Sequence, residues 1–177
     1  MYSYGEIAFR PIGKEDLDVL RALHNDESTF LNLATIDFVD ENAQLSWWEG
    51  LHKKPGDKRY AIVKSANPKE VIGRLRIVNI DTQNRNCEVG LDILPESRRK
   101  NYGTKSYEMV LEFLFMHYNM NLVYLKVADF NPAAKDLYLK VGFKLVGHFP
   151  EYLYRHGKYW NYLIMAMTRS EYMSLKK

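Results

Sequence analysis

Three consecutive cations, Arg98-Arg99-Lys100, lead into Asn101-Tyr102-Gly103-Thr104 and then an apolar helical pattern. Positive side chains and a small-residue turn at a helix start make an anion site. The first-turn N–H groups have no partner within the helix, and the helix dipole adds partial positive charge. A basic surface turn before an ordinary helix would carry the same letters, so this stretch alone leaves both readings open. A second stretch, Asn131 to Phe143, reads NPAAKDLYLKVGF. Asn131 can cap a short helix, Pro132 suits its first position, and Gly142 its left-handed end.

Together the two stretches resemble the Gcn5-related N-acetyltransferases, the GNAT superfamily. Members carry an Arg/Gln-x-x-Gly-x-Gly/Ala pyrophosphate loop between the fourth strand and third helix, and downstream Asn-x-x-Ala-x-x-Leu/Ile-Tyr-x-Lys-x-Gly-Phe. Here the loop runs from Arg98 to Gly103, with Asn101 where the family usually has glycine. The downstream pattern is met at Asn131, Ala134, Leu137, Tyr138, Lys140, Gly142 and Phe143. The resemblance covers the chain from about Ile7 to Met167.

The resemblance implies an acetyl-CoA-dependent N-acetyltransferase without a metal. Arg98, Arg99 and Lys100, with the N–H groups of Asn101, Tyr102, Gly103 and Thr104, would hold the pyrophosphate. A main-chain N–H at Ile93 or Leu94, freed by a bulge, would meet the thioester carbonyl. Tyr138 would protonate the departing thiolate; a phenol with a pKa of about 10 is protonated at neutral pH. Glu88 would act on the attacking amine through water. Asn131 would touch the pantetheine arm as well as cap its helix, and Lys140 would approach the nucleotide phosphates. Plainer readings stand beside these. Glu88 could be a strand carboxylate paired with Arg74 or Arg76, Tyr138 a core aromatic, Lys140 an exposed helix lysine.

For the acceptor, the phrase GHFPEYLYRHGKYWNYLIMAM looks most like the spermidine, ribosomal-protein N-terminal and amino-sugar branches. Asp37, Asp40, Glu41, Glu88 and Glu151 could serve a polyamine. Arg74, Arg76 and Arg85 instead suit the phosphates of a nucleotide-linked amino sugar, because guanidinium groups pair with phosphate in a two-bond fork. The expected acceptor is therefore the primary amine of such a sugar, with spermidine or a protein N-terminus as the alternative. A catalytically silent acyl-CoA-binding regulatory module, kept open by Asn101, is the alternative of another class.

The elements that must position these residues follow from the pattern. Val89, Leu91 and Ile93 alternate with Glu88, Gly90 and Asp92, a strand that Pro95 ends. Further strands read at Glu6 to Ile12, Arg59 to Lys64, Val71 to Ile80, Leu122 to Val127, Lys144 to Tyr154 and Tyr159 to Ala166. Helices read at Lys14 to His24, after Asp40, at Thr104 to Tyr118 and after Asn131, with a capping box at Thr168 and Glu171. Residues 25–39 read as loop with a helical turn. The order predicts one α/β domain over 1–177: a mixed, mostly antiparallel sheet of about seven strands flanked by helices. The resemblance adds a splayed cofactor cleft.

Composition narrows the rest. With 46% hydrophobic and 27% charged residues, the chain of 177 is an ordinary globular one. A net charge of +3 is small for a nucleic-acid binder. No apolar run reaches membrane-span length, and the start of the chain has no signal-peptide pattern, so a cytoplasmic location is expected. Cys87, the one cysteine, cannot form an internal disulfide. The five histidines show no metal spacing. The partner set is a small-molecule or peptide amine, with no nucleic acid and no membrane, and with room for a homodimer.

Overall fold

The computed structural model describes residues 1–176. One eight-stranded sheet runs in the order β1-β2-β3-β4-β5-β6-β8-β7. Its strands are β1 (Tyr2–Tyr4), β2 (Ile7–Pro11), β3 (Lys58–Lys64), β4 (Asn67–Asp81), β5 (Asn86–Ile93), β6 (Leu122–Ala128), β7 (Lys144–Arg155) and β8 (Lys158–Thr168). The helices are α1 (Leu17–Asn25), α2 (Glu27–Phe30), α3 (Glu41–Glu49), α4 (Tyr102–Glu112), α5 (Pro132–Val141) and α6 (Arg169–Leu175). The sheet is mostly antiparallel. Its parallel pair is β5 with β6, in the register Asn86↔Leu122, Cys87↔Val123 and Glu88↔Tyr124. That pair needs a crossover, which α4 supplies, whereas short turns close the hairpins. His156 (φ 52°) and Gly157 (φ 77°) close the β7–β8 hairpin with both central residues left-handed, the turn that matches strand twist.

The strand expected over Glu6 to Ile12 has an extra neighbour. Tyr2–Tyr4 folds back on β2 through Gly5, so the sheet has eight strands rather than about seven. Three residues reading YSY have no apolar alternation to announce a strand. The helix expected over Thr104 to Tyr118 starts at Tyr102 and changes to a π-helical segment over Phe113–His117.

The chain divides into two compact units that share β4 and β5: Met1–Val78 with Gly90–Met109, and Asn79–Val89 with the chain from Val110 on. In the first, Ala8, Ile12, Leu20, Ala61 and Val63 are buried together, with Leu17, Val19, Trp48, Leu51 and Val71 packed against them. Trp48 Nε1 donates to the Ile12 carbonyl at 2.9 Å, satisfying the indole's polar atom. Arg10 makes a two-bond fork to the buried Asp16, at 2.7 and 2.9 Å, which fixes the entry to α1. In the second unit Phe143, Leu114, Phe115, Val123, Leu125, Met165 and Met167 are buried. Each such side chain contributes roughly 1.5–3 kcal/mol by leaving water. Cys87 is buried there too, and burial pushes its thiol up to about 12, so it stays protonated and inert at neutral pH.

Candidate acetyl-transfer site

The first unit carries the basic loop. β5 ends at Ile93, Pro95–Ser97 makes a single 3-10 turn, and α4 begins at Tyr102. Between them Arg99 (φ 59°) and Asn101 (φ 62°) are left-handed. Left-handed residues interspersed in a turn curl successive N–H groups inward, the geometry of an anion-binding nest. Asn101 thus adopts the backbone conformation for which glycine is the default, and asparagine is one of the few other residues that take it readily. Arg99, Lys100 and Asn101 are exposed, whereas Thr104 is buried. Lys105 N–H donates to the Asn101 carbonyl at 3.1 Å, the first helical bond of α4, so the N–H groups of Tyr102, Gly103 and Thr104 lie in its first turn. The arrangement can hold a pyrophosphate: two exposed cations, a curled backbone and a helix N-terminus.

Arg98 is held by three acceptors of the first unit. Its Nε donates to the Ile93 carbonyl at 3.0 Å, and its two terminal nitrogens donate to Ser28 Oγ and, at 2.6 Å, to Thr29 Oγ1. Those residues belong to α2, whose cap Asp26 accepts from Thr29 N–H. The hydrogen bond from Ser28 is the main cause that lowers the Asp26 pKa, with Arg98 a lesser one. The guanidinium expected to meet phosphate therefore ties the end of β5 to α2. A bulge lies on β4 near the expected carbonyl-binding donor, where Ile62 pairs Gly73 while Val63 pairs Val71; the Leu94 N–H, one of the two donors expected to be free, is engaged, donating to the Ile72 carbonyl at 2.9 Å. A Cβ on Gly73 would sit 2.3 Å from the Asp92 carbonyl oxygen, so only glycine permits this approach of the strands. Ile93 and Leu94 are both buried.

The arginines counted for the acceptor are spread out. Arg74 Nε pairs with Asp92 at 2.7 Å, and its Nη1 donates to His24 Nδ1 at 3.2 Å. The other His24 nitrogen faces the Asp37 carbonyl at 3.0 Å. Burial, and then the charge of Arg74, lower the His24 pKa, which keeps the imidazole neutral at neutral pH. Arg76 lies over Gly90, where a Cβ would be 2.3 Å from its Nε. Arg85 is in the β4–β5 turn, left-handed at φ 54°.

The second unit carries the remaining candidates. Glu88 is 4% exposed, and its Oε2 accepts from Lys126 at 2.9 Å and Asn79 at 3.2 Å. One ion-pair partner of Glu88 is thus a lysine on the parallel strand β6. Burial works to lower the Lys126 pKa, yet its hydrogen bond and attraction to Glu88 leave it raised. Asn131 caps α5, its side chain accepting from Ala134 N–H at 3.1 Å. Gly142 ends the helix at φ 111°, and the Tyr138 carbonyl accepts from both Gly142 and Phe143 N–H groups. Tyr138 is half-buried, its ring edge-on to Phe143 at 6.2 Å, and no residue of α5 is fully buried. Lys140 is exposed. Among the described residues no group of three or more His, Cys, Asp and Glu could hold a metal, and no helix is long and apolar enough to cross a membrane.

A family model described as an acetyltransferase (GNAT) domain matches residues 6–144. A spermidine N(1)-acetyltransferase of Vibrio cholerae serotype O1 is 26% identical over 172 residues, 96% of each chain. The spermidine N(1)-acetyltransferase of Escherichia coli K12 is 25% identical over 177 residues, 100% of this chain and 94% of the other. The structure of a Vibrio cholerae spermidine N-acetyltransferase in complex with CoA and spermine has the same fold, with a TM-score of 0.88 at 22% identity over 96% of this chain and 99% of that one. The chain belongs to the GNAT acetyltransferase family and is an acetyl-CoA-dependent N-acetyltransferase.

Proposed function

We propose that the acceptor is a primary amine of a polyamine of the spermidine type. The observation that carries this reading is likeness along nearly the whole chain to two spermidine N(1)-acetyltransferases. It favours a polyamine over the amino-sugar reading, whose premise was three arginines open to phosphate. Arg74 is engaged by Asp92 and His24, and Arg85 belongs to a turn.

Acetyl-CoA supplies the acetyl group as a thioester. In the proposal Arg99, Lys100 and the N–H groups of residues 101–104 hold its pyrophosphate, and Arg98 holds the loop in shape. Tyr138 gives its phenolic proton to the departing thiolate. Asn131 orients the pantetheine arm, with Lys140 toward the phosphates. Glu88 takes the amine proton through water; because its loss would also strand Lys126 in a buried ion pair, its test is Glu88→Gln with Tm read beside kcat. A self-assembled state belongs to the same proposal. A Vibrio cholerae relative of the same fold is dodecameric, and β7, an edge strand here, exposes Leu145, Val146, Phe149, Tyr152 and Tyr154. Sedimentation as a monomer at micromolar concentration would refute it.

The deciding experiment is thiol release from acetyl-CoA over spermidine, spermine, nucleotide-linked amino sugars and peptides with free N-termini. Spermidine is expected to give the highest kcat/KM. A faster amino sugar or peptide overturns the acceptor.

A further inference from the structure

One carboxylate in the second unit has no structural use. Asp129 follows β6, where the chain turns sharply: Asn131 N–H donates to the Ala128 carbonyl at 3.0 Å. Its own N–H donates to the Asn161 carbonyl on β8 at 3.2 Å. Yet its Oδ1 is buried, and among the described residues none donates to it. A buried polar atom normally has a partner, and a carboxylate oxygen without one bears its desolvation cost uncompensated. Glu88, in the same unit, shows the ordinary solution, with two donors on one oxygen.

The surroundings indicate what the missing donor is. Ala128 and Tyr162 are register partners, and with Leu153, Phe130 and Trp160 they form an apolar cluster beside Asp129. Tyr162 stacks on Tyr152 at 5.6 Å and 16°, and Tyr152 meets Phe149 at 5.3 Å. Across from them β7 loses register between Phe149 and Leu153, with Glu151 left-handed at φ 49°. The Asn161 side chain ties this bulge down by accepting from Glu151 N–H at 3.1 Å. Asn161 thus links the turn carrying Asp129, through its main chain, to the bulge carrying a second acid, through its side chain. Aromatic rings attract cations and pack against methylene stems, and a buried anion favours a charged N–H donor over a hydroxyl.

We propose that Asp129 binds an ammonium group of the acceptor, an alkylammonium whose methylenes lie along the aromatic rings of β7 and β8. The inference rests on the amine-acetylating reading above, and names a specificity residue for it. The bond is charge-assisted, with Oδ1 accepting and the ammonium donating.

The test is Asp129→Asn, which keeps the shape and removes the charge. Thiol release with spermidine should show KM raised about tenfold or more, the effect of losing one hydrogen bond to a charged group. The acetyl-CoA Kd should be unchanged, and Tm unchanged or higher because no internal partner is lost. Asp129→Glu, which keeps the charge, should recover part of the KM. An unchanged KM in Asp129→Asn overturns the proposal, as does a lowered Tm with KM intact, which would make Asp129 structural. If wild type prefers another amine, the acceptor reading fails but the same comparison is made on that amine. If wild type turns over no amine, calorimetric titration of spermidine decides: binding lost in Asp129→Asn supports the proposal, and no binding to wild type ends it.

Discussion

The basic loop at residues 98–104 and the helix segment 131–143 carry the same family resemblance but use their residues differently. In the helix segment each residue does locally what its type suggests: Asn131 caps, Pro132 starts and Gly142 stops. In the loop the leading arginine holds Ile93, Ser28 and Thr29, while the backbone of Arg99 and Asn101 forms the curl. A motif letter can thus stand for a charge or for a tie. Only the partners of the side chain decide which.

The largest expected effect tests the helix segment. Tyr138→Phe should lower kcat by about 10²–10⁴-fold, the usual loss of a general acid, with acetyl-CoA affinity unchanged. Turnover at the wild-type rate under saturating acetyl-CoA would reduce Tyr138 to packing against Phe143.

The next tests the loop. Arg98→Ala removes donors to three acceptors and should destabilise the fold by about 1–3 kcal/mol, read as a fall in Tm of about 2–4 °C per kcal/mol. Arg99→Ala with Lys100→Ala should leave Tm nearly unmoved, within about 0.5 kcal/mol per surface substitution, and weaken acetyl-CoA binding. Calorimetry and a thermal melt on both variants separate tie from charge. If Arg98→Ala weakens binding with Tm intact, and the double variant does nothing, the assignments are reversed.

A smaller effect bears on Asn101. Asn101→Ala should destabilise by about 1 kcal/mol, the penalty of a left-handed backbone for an ordinary residue, whereas Asn101→Gly should be neutral or slightly stabilising. Acetyl-CoA affinity should be similar in wild type and Asn101→Gly. An affinity more than about tenfold higher in the glycine variant would mean that the asparagine side chain obstructs the phosphates.

How much of this was legible follows from the range of each interaction. The cap, proline and glycine of α5, and the capping box at Thr168, act over three or four residues, so the sequence displays them. The Arg98 tie spans some seventy positions to α2, and nothing local marks it. Alternation placed Arg74 and Arg76 on one face of β4, but not the Asp92 and His24 that meet Arg74. Alternation also fails where register breaks. The interruption of β7 between Phe149 and Leu153 and the π-helical end of the α4 region follow from packing rather than from period. Asp129 went unnoticed for the same reason, since its distinction is a partner it lacks.

The smallest effect concerns the residue that follows the helix segment. Lys144 comes directly after Phe143, and its Nζ pairs with Glu171 at 2.7 Å. Glu171 also closes the capping box of α6, accepting from Thr168 N–H at 2.8 Å. The hydrogen bond from Lys144, then those from Thr168, hold its carboxyl down at about 2, against an ordinary value of 4.5. A carboxyl whose folded pKa is depressed contributes stability above its unfolded pKa and loses it as pH falls through the folded one. The contribution of Glu171 is therefore complete above about pH 4.5 and gone below about pH 2. Because the side chain is one-third exposed, solvent screening cuts the effect to about 0.5–1 kcal/mol. Glu171→Gln should lower stability by that amount in denaturant melts at pH 7, with the gap to wild type narrowing below pH 4.5. A gap that persists undiminished at pH 2.5 would show that shape rather than charge secures this corner.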